Sequence, residues 1–196
     1  MRREIFDKLA ALIGILILSP LFIIMALAIS LDSRGGVFFV QCRVGKDFQP
    51  FGLYKFRTMR PFAESGGKLT VGNNDPRITK VGVFLRKYKI DELPQLFNVL
   101  RGDMNLVGPR PEVPEYVEHY SAEQRKVLSV KPGITDYASL LYFNENEMLA
   151  RSSNPKETYL KEIMPAKLEL NLEYIERRSF GEDLRIIAKT VIKIFT

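Results

Sequence analysis

Residues 9–29, LAALIGILILSPLFIIMALAI, run for twenty-one positions without a charge and are interrupted near the middle by Ser19-Pro20. An apolar run of this length reads as a membrane segment. At about 1.5 Å rise per residue, a straight helix of it would just span a hydrocarbon core of about 30 Å. Pro20 removes a backbone donor and crowds the preceding turn, which argues against a straight helix. Ser19 is placed to hydrogen-bond a carbonyl that the proline leaves free. Two topologies follow, a kinked span or a helix–break–helix that enters the bilayer and turns back at Ser19-Pro20. Arg2, Arg3 and Lys8 precede the run and Arg34, Arg43 and Lys46 follow it, so the positive-inside rule selects neither end. A re-entrant segment with both ends on the cytoplasmic face satisfies both clusters and is the favoured reading. No small-x-small cleavage motif precedes the polar chain, which makes a cleaved leader the weaker alternative.

Outward from this run, the 196 residues leave one globular domain of modest size. The expected division is a membrane segment over 1–34 and a cytoplasmic-face domain over 35–196. The net charge of +6 and pI of about 9.4 suit anionic headgroups, phosphorylated substrates, or both. No RRM, zinc-finger or helix-turn-helix pattern supports a nucleic-acid partner. Cys42, the single cysteine, cannot form an internal disulfide, in keeping with a reducing compartment. His119, the single histidine, lies in the polar run Glu118-His119-Tyr120 and reads as an exposed residue, so a His-based triad or metal site is not expected.

The remaining chain reads as α+β and mainly helical. After Gly35-Gly36, the run Val37–Val40 and the run Phe51–Phe56 read as strands of a small hairpin, with Gly45-Lys46-Asp47 in its turn. Residues 61–77 read as a loop, and Ile78–Lys87 as a short helix. Leu93, Leu96, Phe97 and Leu100 follow helical spacing, with Asp91 as N-cap, Pro94 in the first turn and Gly102 at the C-terminal stop. Glu112–Val130 reads as a helix, Lys131-Pro132-Gly133 as a turn, 143–157 as irregular, and Pro165–Arg178 as a helix. In Glu182–Phe195, Leu184, Ile187, Ala188, Val191 and Phe195 share one face while Arg185, Lys189 and Lys193 share another. That pattern fits an amphipathic helix in a membrane interface, or equally a helix packed on the core.

Asp91-Glu92 is the acidic pair with chemical promise. It stands at an expected helix N-terminus, with Arg86, Lys87 and Lys89 just upstream to hold an anion. A nucleophilic aspartate attacking phosphorus needs such a setting, although most acidic dipeptides are solvated helix starts. Arg110 is confined by Pro109 and Pro111 to an extended backbone and can present a planar fork to phosphate or a base edge; a solvated surface turn is the alternative. Lys55 and Arg57 alternate with aromatics on the second strand and read as either a phosphate-binding wall or the wet side of the hairpin. No P-loop, Rossmann fingerprint, G-x-S-x-G elbow or kinase signature is present.

Several motifs occur in a fixed order. The proline-broken apolar segment is followed by Tyr54-Lys55-Phe56-Arg57-Thr58-Met59 and Ile90-Asp91-Glu92-Leu93-Pro94-Gln95-Leu96. Asn98-Val99-Leu100-Arg101-Gly102-Asp103-Met104, Gly108-Pro109-Arg110-Pro111 and Lys131-Pro132-Gly133-Ile134-Thr135 complete the series. From about residue 3 to 140 this closely resembles the bacterial sugar transferases, the small monotopic phosphoglycosyl transferases; from 141 onward the resemblance is looser.

The resemblance implies transfer of a sugar-1-phosphate from a UDP-sugar to a polyprenyl phosphate, usually undecaprenyl phosphate, with release of UMP. It implies Asp91 as nucleophile in a ping-pong reaction through an aspartyl-phosphosugar, and Glu92 as its partner in proton transfer or positioning. It further implies Mg²⁺ as cofactor with Asp91 close to it, Arg86 and Arg110 at phosphate and nucleotide, and Ser19-Pro20 as the helix-breaking pair. Lys55 and Arg57 are carried as substrate-binding residues. Expected partners are the UDP-sugar, undecaprenyl phosphate and membrane lipids, with a homodimer left open. The expected location is the bacterial inner membrane, domain on the cytoplasmic face, at the first membrane step of glycoconjugate assembly. Asp136 stands where many members have glycine, placing an anion near the expected pocket and leaving the sugar undetermined.

Overall fold

The computed structural model of the chain describes residues 2–61 and 75–195. Its first element, α1 (Arg2–Asp32), is helical straight through Ser19-Pro20. Pro20 has no N–H to offer the carbonyl of Leu16, four residues back, and Ser19 Oγ donates to that carbonyl at 2.8 Å. The expected break is therefore a proline inside one helix rather than an interruption between two.

One face of α1 packs on the rest of the chain. Ala11 joins Leu53, Val99 and Met104, while Phe22 and Ile29 join Phe56 and Leu85. The opposite face leaves Leu16, Ile17 and Leu31 at 65%, 70% and 88% exposure. An apolar surface of that extent is stable only under lipid or another protein. Both helix ends are fixed to the same body. Arg3 pairs with Asp183 at 2.6 Å, Glu4 with Lys131 at 2.7 Å, and Asp32 Oδ2 accepts Val81 N–H at 2.8 Å. Position 34 thus divides the chain by composition, while the hydrophobic clusters run across it.

Strands β1 (Phe38–Val44) and β2 (Pro50–Phe56) form the expected hairpin, antiparallel, with Phe38 opposite Phe56 and Val44 opposite Pro50. The turn between them is a 3-10 turn at Lys46–Phe48. Arg57, just past β2, donates to the carbonyls of Ser33, Arg34, Gly35 and Gly36 and to Ser33 Oγ. It is 8% exposed, and its guanidinium clamps the connection from α1 to β1.

Helix α2 (Lys80–Lys87) starts where Thr79 Oγ1 accepts Gly82 N–H at 3.0 Å. Gly82 allows the helix to press on the strand end, since a Cβ there would stand 2.1 Å from Thr58 O. The chain then reverses at Lys89, which has a left-handed φ of 54°, into a 3-10 turn at Ile90–Glu92. Helix α3 (Gln95–Arg101) follows, and Gly102 closes it at φ 91° with its N–H on Asn98 O and Val99 O. Asn98, fully buried, bonds β2 as a neighbouring strand would: Oδ1 accepts Tyr54 N–H at 3.0 Å and Nδ2 donates to Gly52 O at 2.7 Å.

A second, parallel sheet pairs β3 (Asn105–Val107) with β4 (Gly133–Thr135), Asn105 opposite Gly133 and Val107 opposite Thr135. The segment expected as a turn at Lys131–Gly133 therefore leads into a strand. Between them, the helix expected over Glu112–Val130 is instead α4 (Pro114–Val117) and a 3-10 helix at Gln124–Ser129. Ser121 interrupts it: Ser121 Oγ accepts Gln124 N–H at 3.2 Å, a local bond that starts a new turn.

After α5 (Tyr137–Leu141), the region expected to be irregular holds α6 (Glu145–Ala150) and α7 (Pro155–Thr158), with Asn154 accepting Glu157 N–H. A π-helical turn at Tyr159–Ile163 leads into α8 (Met164–Arg177), close to the expected span. The last element is α9 (Phe180–Phe195). Its Ile186 is fully buried with Val107 and Tyr174, whereas Leu184 and Val191 are exposed. The helix packs on the body through one face and leaves the apolar Leu184–Val191 face uncovered. The loop expected at 61–77 lies mostly outside the described residues.

Candidate active site

Three chain segments meet at the acidic pair. The αL residue Lys89 and the 3-10 turn carry Asp91 and Glu92 inward, β2 supplies Lys55, and the proline-flanked loop after β3 supplies Arg110. Lys55 Nζ stands 3.0 Å from Glu92 Oε1. Arg110 forks onto the same carboxylate, Nη1 donating to Oε2 at 3.0 Å and Nη2 to Oε1. Such bidentate charge-assisted pairs are among the stronger polar contacts. Burial alone would raise the Glu92 pKa, but Arg110 and Lys55 outweigh it and hold the carboxyl well below the usual range. Glu92 in turn raises the guanidinium pKa of Arg110.

Asp91 has the opposite environment. It is 8% exposed, and its Oδ1 has no hydrogen-bond partner among the described residues. Burial, then the charge of Glu92, pushes its carboxyl upward, against the pull of Lys55, Arg86 and Lys89. The expected N-cap role is not observed: α3 begins at Pro94 without a side-chain cap, and the turn carrying Asp91 begins at Lys89 without one. Asp91 Oδ1 is thus a buried carboxylate oxygen that no donor among the described residues has claimed.

Arg86 projects from α2, and Nε donates to Thr58 Oγ1 at 2.9 Å. Its charge reaches Asp91, Asp75 and Glu92. Arg57, expected at the substrate, has its guanidinium engaged with the connection from α1 to β1.

Arg110 itself is held from behind. Asp136 Oδ2 accepts its backbone N–H at 3.1 Å, and Asp136 Oδ1 accepts Ser139 N–H at 2.5 Å, capping α5. Asp136 is fully buried, so the anion expected near the pocket has both oxygens committed to backbone. A small pocket lies beside Arg110, lined also by Glu112, Tyr159, Lys167 and Asn171. None of these four, nor Thr58, carries a sequence signal separable from ordinary surface and core residues.

Because Glu92 is the shared counter-ion of two cations, its neutral isostere should unsettle the site. Glu92→Gln leaves Lys55 and Arg110 enclosed without an opposing charge, an expected loss of about 3 kcal/mol. A thermal melt in detergent checks this, and an unchanged midpoint would show the pairing to be energetically idle.

One carboxylate locked by two cations and another with a free buried oxygen, carried on a body with an uncovered apolar helix, define a class: a mainly helical domain with a lipid-suited flank and a buried charged site. The chain belongs to the bacterial sugar transferase family, whose family model matches residues 1–196.

It is 38% identical over 195 residues to the UDP-N-acetylgalactosamine-undecaprenyl-phosphate N-acetylgalactosaminephosphotransferase of Aeromonas hydrophila, covering 97% of this chain and 43% of that protein. It is 40% identical over 192 residues to the UDP-glucose:undecaprenyl-phosphate glucose-1-phosphate transferase of Escherichia coli K12, covering 96% and 39%. It is 38% identical to the uncharacterized sugar transferase EpsL of Bacillus subtilis strain 168, covering 98% and 86%. The chain thus spans less than half the length of the first two of these relatives.

Proposed function

We propose that the chain is a phosphoglycosyl transferase that moves a sugar-1-phosphate from a UDP-sugar to undecaprenyl phosphate. The observation that carries this reading is the pairing of a buried Asp91 with a free oxygen and a Glu92 saturated by Lys55 and Arg110. The names of the relatives supply the substrate class.

In the first half-reaction an Asp91 oxygen attacks the phosphorus that bears the sugar. The bond from that phosphorus to the bridging oxygen breaks, and UMP leaves with the bridging oxygen. In the second, an oxygen of the lipid phosphate attacks the same phosphorus and returns Asp91 as a free carboxylate. Arg86 and Arg110 bind phosphate charge, and Glu92 keeps Arg110 and Lys55 oriented.

Mg²⁺ fits the free oxygen of Asp91, a hard anionic ligand without a competing donor. Among the described residues no group of three or more acidic, His or Cys side chains gathers to cage a metal. Asp91 would therefore hold the ion together with substrate phosphates and water. When bound, it would neutralise diphosphate charge.

The re-entrant placement of α1 belongs to the same proposal. Its two ends are pinned to one body by the Arg3–Asp183 pair and the Asp32–Val81 bond, which supports both ends lying on one side of the bilayer. That side is the cytoplasmic face of the inner membrane, where UDP-sugars are made.

Membrane-embedded protein mixed with a panel of UDP-sugars and Mg²⁺, without lipid acceptor, tests the reading. The expected result is stoichiometric UMP and a phosphosugar mass increment on Asp91 for one donor. An increment on a different residue, or UMP formed with no increment, would overturn the aspartyl route.

A further inference from the structure

Helix α9 reaches the neighbourhood of the acidic pair through a cluster that the reaction above leaves unused. Phe143 has two ammonium groups close to its ring: Lys89 Nζ is 4.9 Å and Lys193 Nζ 5.9 Å from the centroid. One turn earlier on α9, Lys189 Nζ is 5.9 Å from the ring of Tyr137. The helix is fixed in this register by Thr190, whose hydroxyl shares a 2.7 Å hydrogen bond with that of Thr135 on β4, and by buried Ile186.

None of the three lysines has a carboxylate within ion-pair distance among the described residues, and Glu92, whose charge Lys89 reaches, is already paired with Lys55 and Arg110. Three cations gathered on two aromatic rings repel one another, and an anion among them relieves that repulsion. Lys89 lies two positions before Asp91, and its charge reaches both acidic residues. An anion held there is next to the nucleophile. The face of α9 opposite the lysines is apolar and exposed, with Leu184 at 44% and Val191 at 51%, and Leu141 on the helix that carries Tyr137 is 68% exposed, so the cluster stands beside surface suited to lipid. A phosphate with a hydrocarbon tail matches this combination of cations and neighbouring exposed apolar surface.

We propose that Lys89, Lys189 and Lys193, held by Phe143 and Tyr137, form the site for the phosphate head of the polyprenyl acceptor, so that α9 completes the active site. The inference rests on the transferase reading for the identity of the lipid.

The test is equilibrium binding of a short-chain polyprenyl phosphate to full-length protein in nanodiscs, comparing wild type with Lys189→Gln/Lys193→Gln. Affinity is expected to fall about tenfold in the double variant and to return in Lys189→Arg/Lys193→Arg. UDP-sugar binding and the mass increment on Asp91 are expected to be unchanged. Lys126→Glu, distant and paired with Glu123, serves as the control for net charge. Equal lipid-phosphate affinity in the Gln variant overturns the proposal, as does weakened UDP-sugar binding in its place. Loss of nanodisc association with no specific loss of phosphate affinity also overturns it, assigning α9 to general lipid contact. Failure of the aspartyl route would show separately, as a missing increment on wild-type Asp91, and leaves this binding measurement intact.

Discussion

Asp91→Asn is expected to abolish UMP release, by about 10⁴-fold or more, while leaving the fold as stable as wild type or more so. The first half follows from chemistry. An amide keeps the shape of the carboxylate but has no anionic oxygen to attack phosphorus, and loss of a covalent nucleophile costs about 5.5 kcal/mol or more of barrier lowering at that ratio. The second half follows from the surroundings of Asp91. Burial disfavours its charge, Glu92 repels it, and Oδ1 has no hydrogen-bond donor among the described residues. Removing the charge relieves that cost. Activity lost together with a constant or raised melting temperature marks a functional carboxylate; activity lost together with the fold would point to a structural one. Single-turnover UMP assays beside thermal melts read both, and residual turnover within tenfold of wild type would exclude Asp91 as nucleophile.

Gly133→Ala is expected to have the largest effect on the fold. A Cβ at Gly133 would lie 2.0 Å from Gly108 N and 2.5 Å from Val107 C, and one at Gly108 would lie 2.7 Å from Lys131 O. These are backbone atoms on both sides, so no side chain can swing away. The crossing of β3 and β4 must open, at a cost of about 3 kcal/mol or more. For a chain of this size that is a fall in Tm of about 10 °C. Activity should fall as well, because Arg110 leaves the crossing two residues after Gly108 and Asp136 three after Gly133. Gly181→Ala makes the contrast: nothing lies within 4 Å of its added methyl, and alanine in a helix is favoured over glycine by about 1 kcal/mol. A Gly133→Ala melt matching the Gly181→Ala melt would mean that the close approach is not rigid.

The hairpin, the α2 and α8 helices and the Gly102 stop were readable in the chain because each rests on local patterning. The acidic pair and Arg110 were readable for a similar reason: prolines and charge clusters mark them within a few residues. What escaped depends on distant partners. Arg57 looks like a strand-face cation until the turn at Ser33–Gly36 supplies four carbonyls to it. Asn98 looks like a polar helix residue until β2 presents an unpaired N–H and C=O. Strands of three residues, such as β3 and β4, are too short for alternation to appear. The over-long helix at Glu112–Val130 missed Ser121 because its competing bond is made with its own backbone neighbours. Asp136 reads as an anion near the pocket because nothing in its own segment announces the Arg110 and Ser139 amides that occupy its oxygens.

The inner face of α1 supplies Ala11, Phe22 and Ile29 to clusters completed by residues as distant as Met104. The apolar helix is therefore also a wall of the interior. Its partners follow it in the chain, so its inner face cannot be buried until they are made. Cutting α1 away to obtain a water-soluble form would therefore open both clusters, so the helix cannot be treated as a detachable anchor.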